Sequence, residues 1–128
     1  MKKKILLLED NPIHGEAIFD GLEDMGFEVK KAQDVFYARK LLVDDKYKPD
    51  LFLFDITIQA IKTQGIQFAE ELAKKPQHKD IPVLFITAHM DENDIAAHFP
   101  PGARNNLLEK PFDFGQLVNK IRQVMAAV

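Results

Sequence analysis

The stretch that most restricts what this chain can fold into is Leu51-Phe-Leu-Phe-Asp55, four consecutive large apolar residues running into one carboxylate. A strand with one solvated face alternates apolar and polar residues. An unbroken apolar run of this length suits a strand covered on both faces, as in the middle of a parallel sheet. Lys4-Ile-Leu-Leu-Leu8 has the same character and stops at Glu9-Asp10. Val83-Leu-Phe-Ile86 stops at Thr87-Ala88, and the shorter Leu107-Leu108 stops at Glu109-Lys110.

Helical signals fill the intervals. Asn11-Pro12 is a good helix entry, because proline is tolerated in a first turn where its missing N–H costs nothing. Ile13, Ala17, Gly21, Leu22 and Met25 then recur at helical spacing up to Gly26. Residues 27–32 alternate, which predicts a short edge strand. Asp34 is placed to cap a helix with Val35, Ala38, Leu41 and Leu42 on one face. A long connection follows Asp55 as far as Gly65, and a helix is expected from about residue 66 to 75. Residues 91–99 form a short polar helical stretch broken by Pro100-Pro101-Gly102. Asp113 can cap a last helix with Phe114, Leu117, Val118, Ile121 and Met125 on one face. Strand and helix alternating five times predicts an α/β fold: a doubly wound, five-stranded parallel sheet flanked by five helices.

Length and charge set outer bounds. At 128 residues the chain is expected to form one domain, 1–128, with a substantial core. A net charge of −3 argues against direct nucleic-acid binding by the chain as a whole. The absence of cysteine removes disulfides, thiolate metal sites and thiol catalysis, and suits a reducing compartment. Lys2-Lys-Lys4 before Ile5-Leu-Leu-Leu8 resembles the opening of a signal peptide, but Glu9-Asp10 interrupts the apolar stretch too early. No run approaches membrane-spanning length, so no membrane partner is expected.

All strands of a parallel sheet end on one edge, and sites in such folds form beyond that edge. Glu9, Asp10, Asp55, Thr87 and Lys110 each follow an apolar run by no more than two residues, so the fold would gather them. Singly, each has a plain explanation: a helix cap, a β-branched strand residue, a solvated lysine. Together they make a chemical set. Clustered carboxylates repel and raise a pKa. A hard divalent cation such as Mg²⁺, which takes one or two carboxylates with waters and phosphate oxygens, relieves that repulsion. Lys110 suits an incoming anion. Asp55 can act as a nucleophile toward a phosphoryl donor, with the Thr87 hydroxyl donating to the bound group.

Leu6-Leu-Leu-Glu-Asp-Asn11, Leu51-Phe-Leu-Phe-Asp55, Phe85-Ile-Thr-Ala88 and Leu108-Glu-Lys-Pro-Phe112 together resemble the receiver domain of two-component response regulators, in order and spacing, over essentially the whole chain. The resemblance implies a flavodoxin-like sheet of order 2-1-3-4-5. It implies that Asp55 accepts a phosphoryl group from a histidine kinase or phosphotransfer protein. It implies Mg²⁺ held by Asp10, Asp55 and the backbone carbonyl of Thr57, with Glu9 bonding a metal-bound water, and Thr87 and Lys110 touching the phosphoryl group. Such a domain is a cytoplasmic switch rather than an ordinary enzyme. It supports its own phosphorylation and dephosphorylation and alters a surface read by a downstream protein or output domain.

Three positions depart from the family pattern. Gly65 lies ten residues after Asp55, where the family usually has a glycine at eight, and the usual Met-Pro is absent. Leu107 stands where an aromatic residue often reorients on activation. Pro100-Pro101-Gly102 would stiffen the approach to the last strand. Two rivals come from other classes. A haloacid-dehalogenase-type phosphohydrolase would carry a second acid where Thr57 stands. A receiver-like interaction module that is never phosphorylated would not need the full Asp10, Asp55, Thr87, Lys110 set. A flavodoxin would place an anion beside Glu9-Asp10. His14, His78, His89 and His98 lack metal-ligand spacing and are expected at the surface or in loops, with His89 close to the site. Ile56, Ile58, Ile61 and Ile66 would either pack inward or form a small partner-binding patch.

Overall fold

The computed structural model describes residues 2–56, 63–87, 93, 97, 99 and 106–126. Its centre is β3 (Leu51–Asp55), in which Leu51 to Phe54 are wholly buried. β1 (Lys4–Leu8) and β4 (Val83–Thr87) flank it, β2 (Glu28–Ala32) pairs with β1, and β5 (Leu107–Glu109) pairs with β4. All pairings are parallel and the order is β2-β1-β3-β4-β5, as the resemblance implied. The chain runs from β1 out to β2 and returns past β1 to β3. The C-terminal ends of β1 and β3 therefore face the crevice where the direction of winding reverses.

Successive residues of the central strands point to opposite faces, which is why their runs contain no polar residue. Leu6, Leu8, Phe52, Phe54 and Phe85 pack with Ala38, Leu41 and Leu42 of α2 (Val35–Val43) and Phe68 and Leu72 of α3 (Thr63–Ala73). Ile5, Leu7, Leu51, Leu53, Leu84 and Ile86 pack with Leu22 of α1 (Pro12–Asp24) and Leu117, Val118, Ile121 and Val124 of α4 (Phe114–Ala126). The phenylalanines expected in the core are there, with Phe54 stacked on Phe68 at 5.7 Å between centroids. The edge strands are shallower: Lys30 and Lys31 of β2 are exposed, and Leu107 and Leu108 are only half-buried.

Helix ends follow their capping chemistry. The Asn11 side chain accepts from the N–H groups of Ile13 (2.9 Å) and His14 (3.2 Å), and Asp34 accepts from Tyr37 at 2.7 Å. Asp113 and Gln116 form a reciprocal capping box: the Gln116 N–H donates to Asp113 Oδ1 and the Asp113 N–H to Gln116 Oε1, both at 2.8 Å.

Some expectations are corrected. The inward stripe of α1 is Gly15, Ile18, Phe19 and Leu22, not one running through Ile13, Ala17 and Met25; Ile13 is 78% exposed. A buried glycine carries no hydropathy signal, so the stripe is misplaced when only side-chain apolarity is followed. Helix α3 begins at Thr63, before the expected start near 66, because Gly65 lies within its first turn instead of breaking it. The helix expected over 91–99 falls almost wholly outside the described residues, as do Ala88, Ile58, Ile61 and Pro100-Pro101-Gly102. Ile56 and Ile66 pack inward.

His78 is in a loop, as expected, but it is buried, with 7% exposure. Its ring meets Phe52 edge-on at 6.2 Å, and its Nδ1 is buried without a hydrogen-bond partner among the described residues. Burial first, then the positive charges of Lys75 and Lys48, hold its pKa below the usual 6.5. The native state thus favours neutral imidazole while the unfolded chain takes up a proton near 6.5. That contribution to stability is present above this pH and is lost as pH falls through and below it. Denaturant titrations from pH 7 to 5 should show falling stability, with a shallower fall in His78→Leu. Equal slopes in both proteins would remove His78 from the account.

Candidate functional site

The strand registers bring the polar residues to one edge. Leu8 pairs with Phe54, Asp55 with Ile86 and Thr87 with Glu109. The ladder continues past the strand ends: the Ile56 N–H donates to the Ile86 carbonyl at 2.8 Å, and the Lys110 N–H to the Thr87 carbonyl at 2.7 Å. Glu9 follows β1, Asp55 ends β3, Thr87 ends β4 and Lys110 follows β5. Lys110 Nζ lies 2.9 Å from Asp55 Oδ1, and the Glu9 carboxyl adjoins Asp55 as well. The Asp55 side chain is 3% exposed and that of Lys110 34%. Thr87 and Glu9 are buried as well.

Glu9 is oriented by its neighbours. The Asn11 N–H donates to Glu9 Oε1 at 2.8 Å. Gly15, one turn into α1, packs beneath Glu9: a Cβ there would stand 3.5 Å from Glu9 Cγ, an ordinary contact. Asn11 is expected from sequence only as a helix entry, and Gly15 not at all. The bond to Glu9 is a backbone one that leaves no mark in residue type; only the helix cap uses the asparagine side chain.

Burial, followed by the adjoining Asp55 carboxylate, pushes the Glu9 carboxyl up to about 8, while the Asn11 N–H and Lys110 act in the opposite direction. A raised acid is expected from the clustered carboxylates in the sequence; here burial contributes most and Asp55 adds to it. Glu9 Oε2 and Asp55 Oδ2 are buried with no hydrogen-bond partner among the described residues. Among the described residues no three His, Asp or Glu side chains converge as a self-sufficient metal cage. Mg²⁺ does not need one, since it takes one or two carboxylates and completes its shell with water and carbonyl oxygens. Two buried, unpartnered carboxylate oxygens in an all-oxygen donor set fit that ion. Asp10 is exposed at the end of β1. Thr57, expected to supply a carbonyl, lies outside the described residues, as do His89 and His98.

An open depression of about 340 Å³ adjoins Asp55 and Lys110. Its walls are largely apolar, from Ala17 and Ile18 of α1 and Pro111 and Phe112 after β5, with His14 at the rim. Leu107, at the position that is often aromatic, is half-buried against the Phe52 and Phe85 side of the core.

A fold of this order with an acid, a hydroxyl and a lysine at the strand ends defines a phosphoryl-switch class of α/β domain. The profile of the response regulator receiver domain matches residues 5–122, and the chain belongs to that family, the receiver domains of two-component signalling. It is 33% identical over 128 residues to the phosphate regulon transcriptional regulatory protein PhoB of Escherichia coli K12, covering all of this chain and 54% of that protein. It is 30% identical over 122 residues to the DNA-binding dual master transcriptional regulator RpaA of Synechocystis, covering 95% of this chain and 48% of that protein. The chain thus spans about half the length of these curated relatives. The signal receiver domain of a histidine kinase from Syntrophus aciditrophicus shares the fold, with a TM-score of 0.82 at 24% identity over 98% of this chain and 92% of that one.

Glu9 gives the site a measurable signature. In magnesium-free buffer at pH 8.5, above the Glu9 pKa of about 8, a buried carboxylate must ionise beside Asp55. Glu9→Gln should then melt higher than wild type, by a few degrees for about 1 kcal/mol in a domain of this size. A lower melting temperature for the variant under those conditions would mean that Glu9 is held by favourable contacts instead of strained by repulsion.

Proposed function

We propose that the chain, as one receiver unit over 1–128, accepts a phosphoryl group on Asp55 from a histidine kinase or phosphotransfer protein and passes the change to a downstream protein or output domain. The observation that carries this reading is the buried Asp55 carboxylate held 2.9 Å from Lys110 at the mouth of an open, apolar-walled depression. An Asp55 carboxylate oxygen attacks phosphorus, and the bond from phosphorus to the donor's imidazole nitrogen breaks. The leaving imidazole keeps the electron pair and takes a proton. Lys110 moves its charge from the free carboxylate to the phosphoryl oxygens, and the Thr87 hydroxyl donates to one of them. Asp10, Asp55 and the Thr57 carbonyl would hold Mg²⁺, with Glu9 on a bound water; the ion supplies positive charge for the transferring group. The same arrangement supports hydrolysis of the acyl phosphate, so the domain serves its own reactions without turning over another substrate.

The apolar walls suit a helical partner that presents its histidine between apolar side chains. The added charge on Asp55 acts locally and must bias a two-state surface to be read elsewhere. Thr87 is the coupling residue, buried at the end of β4 and bonded through its carbonyl to the backbone of Lys110. Among the described residues no helix is long and apolar enough to cross a membrane, which is compatible with a cytoplasmic location.

Intact-mass spectrometry after incubation with acetyl phosphate or phosphoramidate tests this directly. Wild type should gain one phosphoryl adduct that requires Mg²⁺, and Asp55→Asn should gain none. No adduct in wild type with either donor or with a cognate kinase would favour an interaction module that is never phosphorylated.

A further inference from the structure

Gly65 lies at the closest approach of α3 to the end of β3. A Cβ placed there would fall 2.8 Å from Ile56 Cγ2 and 3.8 Å from Leu8 Cδ2. The first distance is shorter than carbon atoms tolerate, while the second is an ordinary contact, so the strain would fall on Ile56. Ile56 is 4% exposed inside a cluster that includes Leu8, Phe54 and Ile66. Its β-branched side chain has few χ1 choices.

Ile56 is also a junction. It directly follows Asp55. Its N–H is held by the Ile86 carbonyl at 2.8 Å, and Ile86 directly precedes Thr87. Leu8, the second neighbour of Gly65, directly precedes Glu9. The close approach therefore bears on the end of β3 and, through the Ile86 hydrogen bond, on the end of β4, with Leu8 of β1 in ordinary contact beside it.

We propose that Gly65 is a positioning residue for phosphoryl transfer at Asp55: its bare α-carbon lets α3 seat against Ile56 and fixes the carboxylate relative to Glu9 and Thr87. The proposal rests on the phosphoryl-acceptor reading for its kinetic consequence, but its geometric content stands without it. A methyl group at position 65 must push Ile56 or lift the first turn of α3. A misplacement of about 1 Å in a transfer site costs up to roughly 100-fold in rate. The loss should appear in the rate at saturating donor, not in the donor concentration that half-saturates it.

The experiment compares wild type, Gly65→Ala and the double variant Gly65→Ala/Ile56→Leu. Leucine keeps the volume of isoleucine but lacks the Cγ2 branch, so it relieves the contact while filling the core. With acetyl phosphate and Mg²⁺, Gly65→Ala should lose at least about tenfold in saturating phosphorylation rate, and the double variant should recover most of it. In parallel, NMR of the unphosphorylated proteins should show shifts at the Leu8 and Ile86 methyls and at the Asp55 and Thr87 amides in Gly65→Ala, with α4 unchanged. Unshifted resonances, an undiminished saturating rate, or a double variant as slow as Gly65→Ala would each overturn the proposal. If wild type takes no phosphoryl group but these resonances move, the function reading fails and the positioning geometry survives.

Discussion

Two carboxylates buried side by side are an expensive arrangement, and much of this molecule is organised around holding Glu9 and Asp55 that way. Each is presented by the end of a strand that has no freedom to retreat, because β1 and β3 are packed on both faces and paired on both edges. Lys110 offsets part of the repulsion, and the Asn11 N–H takes one Glu9 oxygen. Burial more than repulsion holds the Glu9 pKa up, and Glu9 Oε2 and Asp55 Oδ2 are buried with no hydrogen-bond partner among the described residues. A structure that served stability alone would place apolar residues there. Keeping the acids fits the phosphoryl chemistry proposed for this site.

The central strands were legible because burial on both faces leaves no choice of residue type. Leu51-Phe-Leu-Phe-Asp55 and Lys4-Ile-Leu-Leu-Leu8 announce their depth and their shared exit edge. From that alone Glu9, Asp55, Thr87 and Lys110 follow as neighbours. Contacts made by the absence of a side chain were not legible. Gly15 beneath Glu9 and Gly65 against Ile56 leave no mark in a hydropathy pattern, and they displaced the α1 stripe and the start of α3 respectively. His78 shows a related limit. Its burial depends on Phe52, 26 residues earlier in the chain, meeting it from across the sheet layer.

Contacts between neighbouring helices distinguish the two faces of the sheet. On one side, Arg39 of α2 reaches Glu71 of α3 with bonds of 2.6 and 3.0 Å and lies over the Phe68 ring. Both side chains of the pair are substantially exposed, so its energetic weight is small. Its geometric effect is to tie α2 to the helix that seats on Ile56. On the other side, Phe114 of α4 rests where a Cβ on Gly21 would be, 2.5 Å from its ring edge.

Lys110 follows the shortest strand, β5, whose residues are only half-buried or exposed and which has a neighbour on one side alone. The carboxylates, by contrast, hang from the deepest strands. The site is consequently uneven in stiffness: an acidic anvil set in the rigid middle of the sheet faces a cationic arm mounted on its softest edge. If Asp55 takes up charge as proposed, the least resistance to rearrangement lies along the β4–β5 border, where the lysine is mounted, and not in the doubly packed sheet centre.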